Sequence, residues 1–313
     1  MAIKLGSTNF GSIYLGSTKI GSAYLGNVKV YSSVPNYNPL NLPAYTIRLK
    51  FNDGVSPYFS KGTATRVSSS PNVWDLTYQN SNWDTLLKGQ SYLTEVLGAN
   101  TSSVTNMDRL FENCTSLASV PLFDTRNATH TFGMFRYCSS LTSVPKYDTS
   151  NVTEMSMMFS GCSVLTSVPL FNTSNVTGAM DNMFSYCSSL TSVPLLDTSN
   201  VIQTNGMFMD CTSLTSVPLF DISKSFSMNG MFMNCALLTS IPLFDISAAK
   251  YMANMFDGCV LVQSGALALY QQASTKQVGV SAYGDCFTNC GSDTTTGAAE
   301  LAQIPSSWGG TAS

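Results

Sequence analysis

The chain has 313 residues, enough for two ordinary domains or one extended repeat array. Only 11% of them are charged and the net charge is −3, so no field of either sign is available to steer nucleic acid or an anionic membrane. No stretch approaches about 18 uninterrupted apolar residues, which excludes a helical membrane span. The opening Met1-Ala-Ile-Lys-Leu-Gly lacks the apolar run and cleavage site of a secretory signal.

In chain order, residues 3–12, 13–22 and 23–32 are three copies of a decapeptide, as in Ile13-Tyr-Leu-Gly-Ser-Thr-Lys-Ile-Gly-Ser22. Each copy predicts two short β segments around a Gly turn. So short a segment buries little by itself. Residues 1–32 are therefore expected to pair with another chain or with copies of themselves. Residues 33–44 contain Pro35, Pro39 and Pro43 and read as a linker. Residues 45–82 form a β-rich lead-in, with alternation at 45–51 and 73–78 predicting strands.

From residue 83 onward a single period dominates. Seven of the nine cysteines, Cys114, Cys138, Cys162, Cys187, Cys211, Cys235 and Cys259, recur at intervals of 24 or 25 residues. Each follows a phenylalanine by three positions: Phe111, Phe135, Phe159, Phe184, Phe208, Phe232 and Phe256. The unit reads Met-Phe-x-x-Cys-x-x-Leu-x-Ser-Val-Pro-x-Phe-Asp-x-Ser. Met155, Met158, Phe159 and Cys162 fall at spacings of three and four, which predicts one buried face of a short helix. Leu165-Thr-Ser-Val168-Pro predicts a brief parallel strand. Asn151 and Glu154 sit where an N-cap and capping box would open the helix. The expected fold is an α/β repeat solenoid, one short parallel strand plus one short helix per unit, with a small all-β N-terminal segment. A unit of this size cannot bury its own apolar face, so units must stack. The array is expected over 83–263, with Trp83 to Val96 as its N-terminal cap. Residues 264–313 should then supply a helix from Gly265, a last repeat at Phe287-x-x-Cys290, and a capping helix that ends before Pro305.

The unit resembles the BspA-like leucine-rich repeat of bacterial, mycoplasmal and parasite surface proteins, over residues 83–305. That resemblance implies a solenoid with adhesion-type roles and fixes no ligand. The decapeptides resemble the starts of gut-phage tail or virion-surface proteins, crAss-like phages among them, a setting that agrees with the missing export signal. It implies a virion protein, assembled in the host cytoplasm, whose residues 1–32 contact other virion proteins. By analogy with phage fibres, it also implies a homo-oligomer, a trimer.

Little here points to catalysis. The cysteines share a face with Met and Phe and read as core, not as metal ligands. Cys286 and Cys290 form a C-x3-C pair without a nearby histidine to complete a zinc site, and their disulfide state is open. His130 is the single histidine, which excludes most triads. The row Asp124, Asp148, Asp197, Asp221 and Asp245, with Asn100 and Asn172 in register, reads as turn residues bonding their own backbone. No catalytic residue, metal or cofactor is expected. The two positions before each Cys vary and lie off the buried stripe, so Arg136, Tyr137, Tyr186, Asp210 and Asn234 are the candidate binding residues. The expected function is a non-enzymatic virion protein whose solenoid binds a host surface protein or glycan, with no nucleic acid and no membrane insertion. Two alternatives stand beside it: a decoration protein binding other virion proteins, and a bacterial cell-surface adhesin.

Overall fold

The computed structural model describes residues 40–275 and 282–312, and the backbone of four short strands nearer the N-terminus. Those strands form two antiparallel hairpins. β1 (Ile13–Leu15) pairs with β2 (Thr18–Ile20), and β3 (Ser22–Leu25) with β4 (Val28–Ser32). The first decapeptide lies outside the described residues.

β5 (Thr46–Phe51), β6 (Thr63–Ser69), β7 (Asn72–Thr77) and β8 (Leu93–Ala99) make one antiparallel sheet in the order β6-β7-β5-β8. β5 alternates Ile47, Leu49 and Phe51 into the core against Leu76, Leu93 and Val96. Its outward Arg48 and Lys50 pair with Asp75 at 2.7 Å and Glu95 at 3.2 Å. β8 also opens the repeats, for Glu95 bridges Ser119 in parallel.

Between β8 and residue 265, among the described residues, no helix or strand occurs. This corrects the expectation of one helix and one strand per unit. In the Cys114 unit, the N–H groups of Met107, Arg109, Phe111 and Asn113 donate to His130, Phe132, Met134 and Arg136 of the next unit at 2.7–2.9 Å. The intervening Leu110, Glu112 and Cys114 donate three residues back, to Met107, Arg109 and Phe111. A helix would send all of these N–H groups inside its own segment. Here four of the seven tie one unit to the next.

The alternation is set by left-handed residues five and one before each cysteine. They include Arg109 and Asn113, Gly133 and Tyr137, Asn182 and Tyr186, and Gly230 and Asn234, with φ between 50° and 62°. Two such residues four apart stop helix propagation. Asn151 accordingly caps nothing. Its Nδ2 donates to the Arg126 carbonyl of the preceding unit at 2.7 Å, and Glu154 Oε1 accepts the Ser156 N–H at 2.8 Å. The strand fails for a different reason. Each Val-Pro or Ile-Pro removes a donor from the ladder, and the Phe220 and Phe244 N–H groups turn back to Pro218 and Pro242. Only isolated parallel bridges remain, such as the row Asn82, Asn106, His130 and Glu154.

At the C-terminal end, α1 (Ala266–Thr275) and α2 (Thr295–Leu301) pack near a 3-10 turn at Ser306–Trp308. Thr294 caps α2 by accepting the Gly297 N–H at 3.0 Å. Trp308 closes the aromatic core by stacking on Tyr283 at 4.2 Å.

Candidate binding face

The positions repeated inside the units are occupied in holding the backbone together. Phe111, Phe135, Phe159, Phe184, Phe208, Phe232, Phe256 and Phe287 form one offset stack, with centroids 5.2–5.9 Å apart and planes within 11°. All of these rings are fully buried, as are Cys114, Cys138, Cys162, Cys187, Cys211, Cys235 and Cys259. From Cys138 to Cys259 each thiol donates to the carbonyl of the preceding unit's phenylalanine at 3.1–3.2 Å, as Cys187 does to Phe159. Burial pushes these thiols up, to about 12 for Cys114 and Cys162, which suits a hydrophobic donor and not a nucleophile. Cys286 and Cys290 are free thiols and equally buried. Among the described residues no group of three His, Cys, Asp or Glu is placed to hold a metal ion.

The acidic row makes turns. Asp148, Asp197, Asp221 and Asp245 each accept the N–H of the serine two residues on, at 2.9–3.1 Å, and Asn172 does the same for Ser174 at 3.2 Å. The bonds from Ser223 hold the Asp221 carboxyl below the usual range. Asp124 is instead clasped by the Arg126 guanidinium, 2.8–2.9 Å away, with the same effect. His130 is exposed, and its Nδ1 lies 2.8 Å from the Thr129 hydroxyl.

The residues singled out from the variable pair divide between two rows. Tyr137, Tyr186, Asp210 and Asn234 share one row along the units, all with positive φ. Backbone shape therefore selects this position, which explains its drift among Asn, Gly, Asp and Tyr. Tyr137 and Tyr186 are exposed, while Asn234 Nδ2 is committed to Asp210 Oδ1 at 3.0 Å. Arg136 is half-buried in the neighbouring row, where it pairs with Glu112 at 3.1 Å. Lys88 reaches the other oxygen of the nearly buried Glu112 at 2.6 Å, so three consecutive units are clamped in register.

An apolar row was missed from sequence. Leu170, Leu195, Leu219 and Leu243 follow the proline of four successive units and are 50%, 59%, 60% and 56% exposed. They form a ridge. A groove of about 310 Å³ between Leu170 and Leu195 is bounded by Lys146, Asn172 and Asp197. The next, about 340 Å³ between Leu195 and Leu219, is bounded by Asp197, Ser199 and Asp221. The signal was present in the repeat: each of these leucines immediately precedes a buried core residue, Phe171, Leu196, Phe220 or Phe244. In extended chain a neighbour of a buried residue faces the other way. Its leucine identity, unit after unit, marked an apolar outer row.

The family described as "Mycoplasma protein of unknown function, DUF285" matches residues 63–170, 86–193 and 166–270. These overlapping matches span most of the chain, which belongs to that family. The solved structure of a leucine-rich repeat protein from Eubacterium ventriosum ATCC 27560 is similar at 17% identity with a TM-score of 0.33. The similarity covers 64% of this chain and 47% of that one, so the match takes in less than half of that protein's length. No curated protein matches the chain.

Proposed function

We propose that this chain is a non-catalytic binding protein, that its units form a leucine-rich-repeat solenoid, and that the leucine ridge is the face it presents to its partner. One observation carries the reading. Among the large apolar positions repeated along the units, the phenylalanine, the cysteine and the leucine three residues after it are buried, whereas the leucine after the proline stands in solvent in four successive units. Contiguous apolar surface of a few hundred Å² on a soluble protein is the usual mark of an interaction site. Residues 1–32 then serve as the attachment segment, on a virion or on a cell surface.

The test places a photo-crosslinking benzoylphenylalanine at Leu219 or at Tyr186 of the full chain in its native setting. Discrete adducts from Leu219, and none from Tyr186, are expected. Adducts from Tyr186 alone would return the binding face to the variable row, and silence at both positions would remove the reading altogether.

A further inference from the structure

We propose that the leucine ridge takes a basic amphipathic α-helix lying along the repeat axis, one helical turn per unit. This rests on reading the ridge as the binding face. Three observations converge on it.

The first is spacing. In the four units that carry these leucines, successive phenylalanine rings lie 5.4–5.7 Å apart. An α-helix rises about 5.4 Å per turn, and its side chains at i, i+3 or i+4, and i+7 line one face. A helix laid along the ridge therefore drops one side chain into each successive groove. A β-strand repeats its face about every 6.6–6.8 Å and falls out of step by roughly 1 Å per unit. Across four leucines that error reaches half a groove.

The second is shape. Leu170, Leu195 and Leu219 stand as posts with an open groove on each side of Leu195, and both floors are built by residues of the neighbouring turns. This is the pattern into which the apolar face of a helix seats its alternating anchors.

The third is charge. Asp197 borders both grooves and Asp221 the second, while Lys146 borders the far side of the first, so the acidic edge runs from Asp197 onward. The turn bonds of both carboxylates fall on Oδ1: Ser199 supplies its N–H and hydroxyl to Asp197, and Ser223 supplies the same pair to Asp221. Oδ2 of each remains for a cation on the flank of the helix. Asp245 continues the row in the next unit. Lysine or arginine beside the apolar stripe is what this rail selects, and an acidic helix is what it repels.

Fluorescence polarisation with the full chain tests the assignment, using a lactam-stapled Leu/Lys helix of about 18 residues as probe. Its counterparts are a stapled Leu/Glu helix and an unstapled peptide in which Leu and Lys strictly alternate. The Leu/Lys helix should bind saturably, and the two counterparts at least ten-fold more weakly. L195S/L219S should cost at least ten-fold. D197N/D221N should weaken binding and flatten its salt dependence. Both pairs leave the fold intact, since the leucines are exposed and Asn172 already holds the same turn with an amide. Binding indifferent to L195S/L219S, or an alternating peptide bound as tightly as the helix, would overturn the proposal. So would sedimentation showing a dimer that L195S/L219S dissolves, because the occupant would then be a second copy. If the crosslinker at Leu219 captures a partner while the helix probe fails, the face stands and the helix assignment falls. If both fail, the face itself is wrong.

Discussion

The ring of Tyr137 rests against Gly161 one unit further on, so closely that a Cβ at Gly161 would overlap its Cδ1 carbon. Asn234 stands over Gly258 in the same row, with its Oδ1 taking the space where a Cβ would lie. The row before each cysteine thus pairs a side chain that leans with a glycine that admits it. Gly161 also has φ +77. Gly161→Ala should therefore destabilise by roughly 1–3 kcal/mol, combining left-handed backbone strain with overlap. Tyr137→Ser should recover the overlap component in the double variant and leave the backbone component. Strictly additive thermal shifts in that double-mutant cycle would show that the two residues do not communicate.

The cysteines should behave as core donors. At pH 8 the folded chain is expected to react with a thiol-specific disulfide reagent only as fast as it unfolds, because burial raises every one of these thiols. Rapid labelling of one or more thiols before unfolding would contradict the burial. Cys187→Ala should cost about 1–2 kcal/mol, from the cavity and from the Phe159 carbonyl left without its donor.

Asp181 predicts a pH dependence with a definite sign. Its carboxyl accepts the Asn205 N–H at 2.7 Å, yet burial prevails and raises its pKa above the ordinary 3.8. The folded state thus holds this proton more tightly than the unfolded state. Its contribution to stability is present below the ordinary value and is lost as pH rises through the raised one. Asn205 and Asn229 do the same job with an amide, accepting the N–H of Asn229 and Ala253 at 3.0 and 2.9 Å. Asp181→Asn should therefore raise the melting temperature at pH 7, with the difference shrinking towards pH 3. A variant less stable at pH 7, or a gap independent of pH, would refute the assignment.

Glu112 ties three units together through Lys88 and Arg136. Glu112→Ala should destabilise by roughly 1–3 kcal/mol, less than breaking a fully buried pair because both cations reach solvent. Lys88→Ala should cost under about 1 kcal/mol, since Arg136 still neutralises the carboxylate. Equal losses for the two variants would mean that Lys88 carries the whole contribution of Glu112 and that Arg136 adds nothing.

Much of this protein was legible from residue order. Phe and Cys three apart, renewed every 24 or 25 positions, mark an apolar column that a unit of that size can bury only against its neighbours, and all seven pairs are fully buried. β5, β7, α1 and α2 lie where alternation, turn residues and Gly265 or Pro305 announced them. The period by itself did not determine where each N–H would go. Spacings of three and four in Met155, Met158, Phe159 and Cys162 describe a helix and a tight multiple turn equally well, because both place the same residues on one side. Only the neighbouring unit, which offers a carbonyl to every second N–H, decides between them. The outer face was decided the same way. Leucine after proline is unremarkable in one unit and becomes a ridge with grooves beside Asp197 and Asp221 only when the ring stack sets successive units side by side at about one helical pitch.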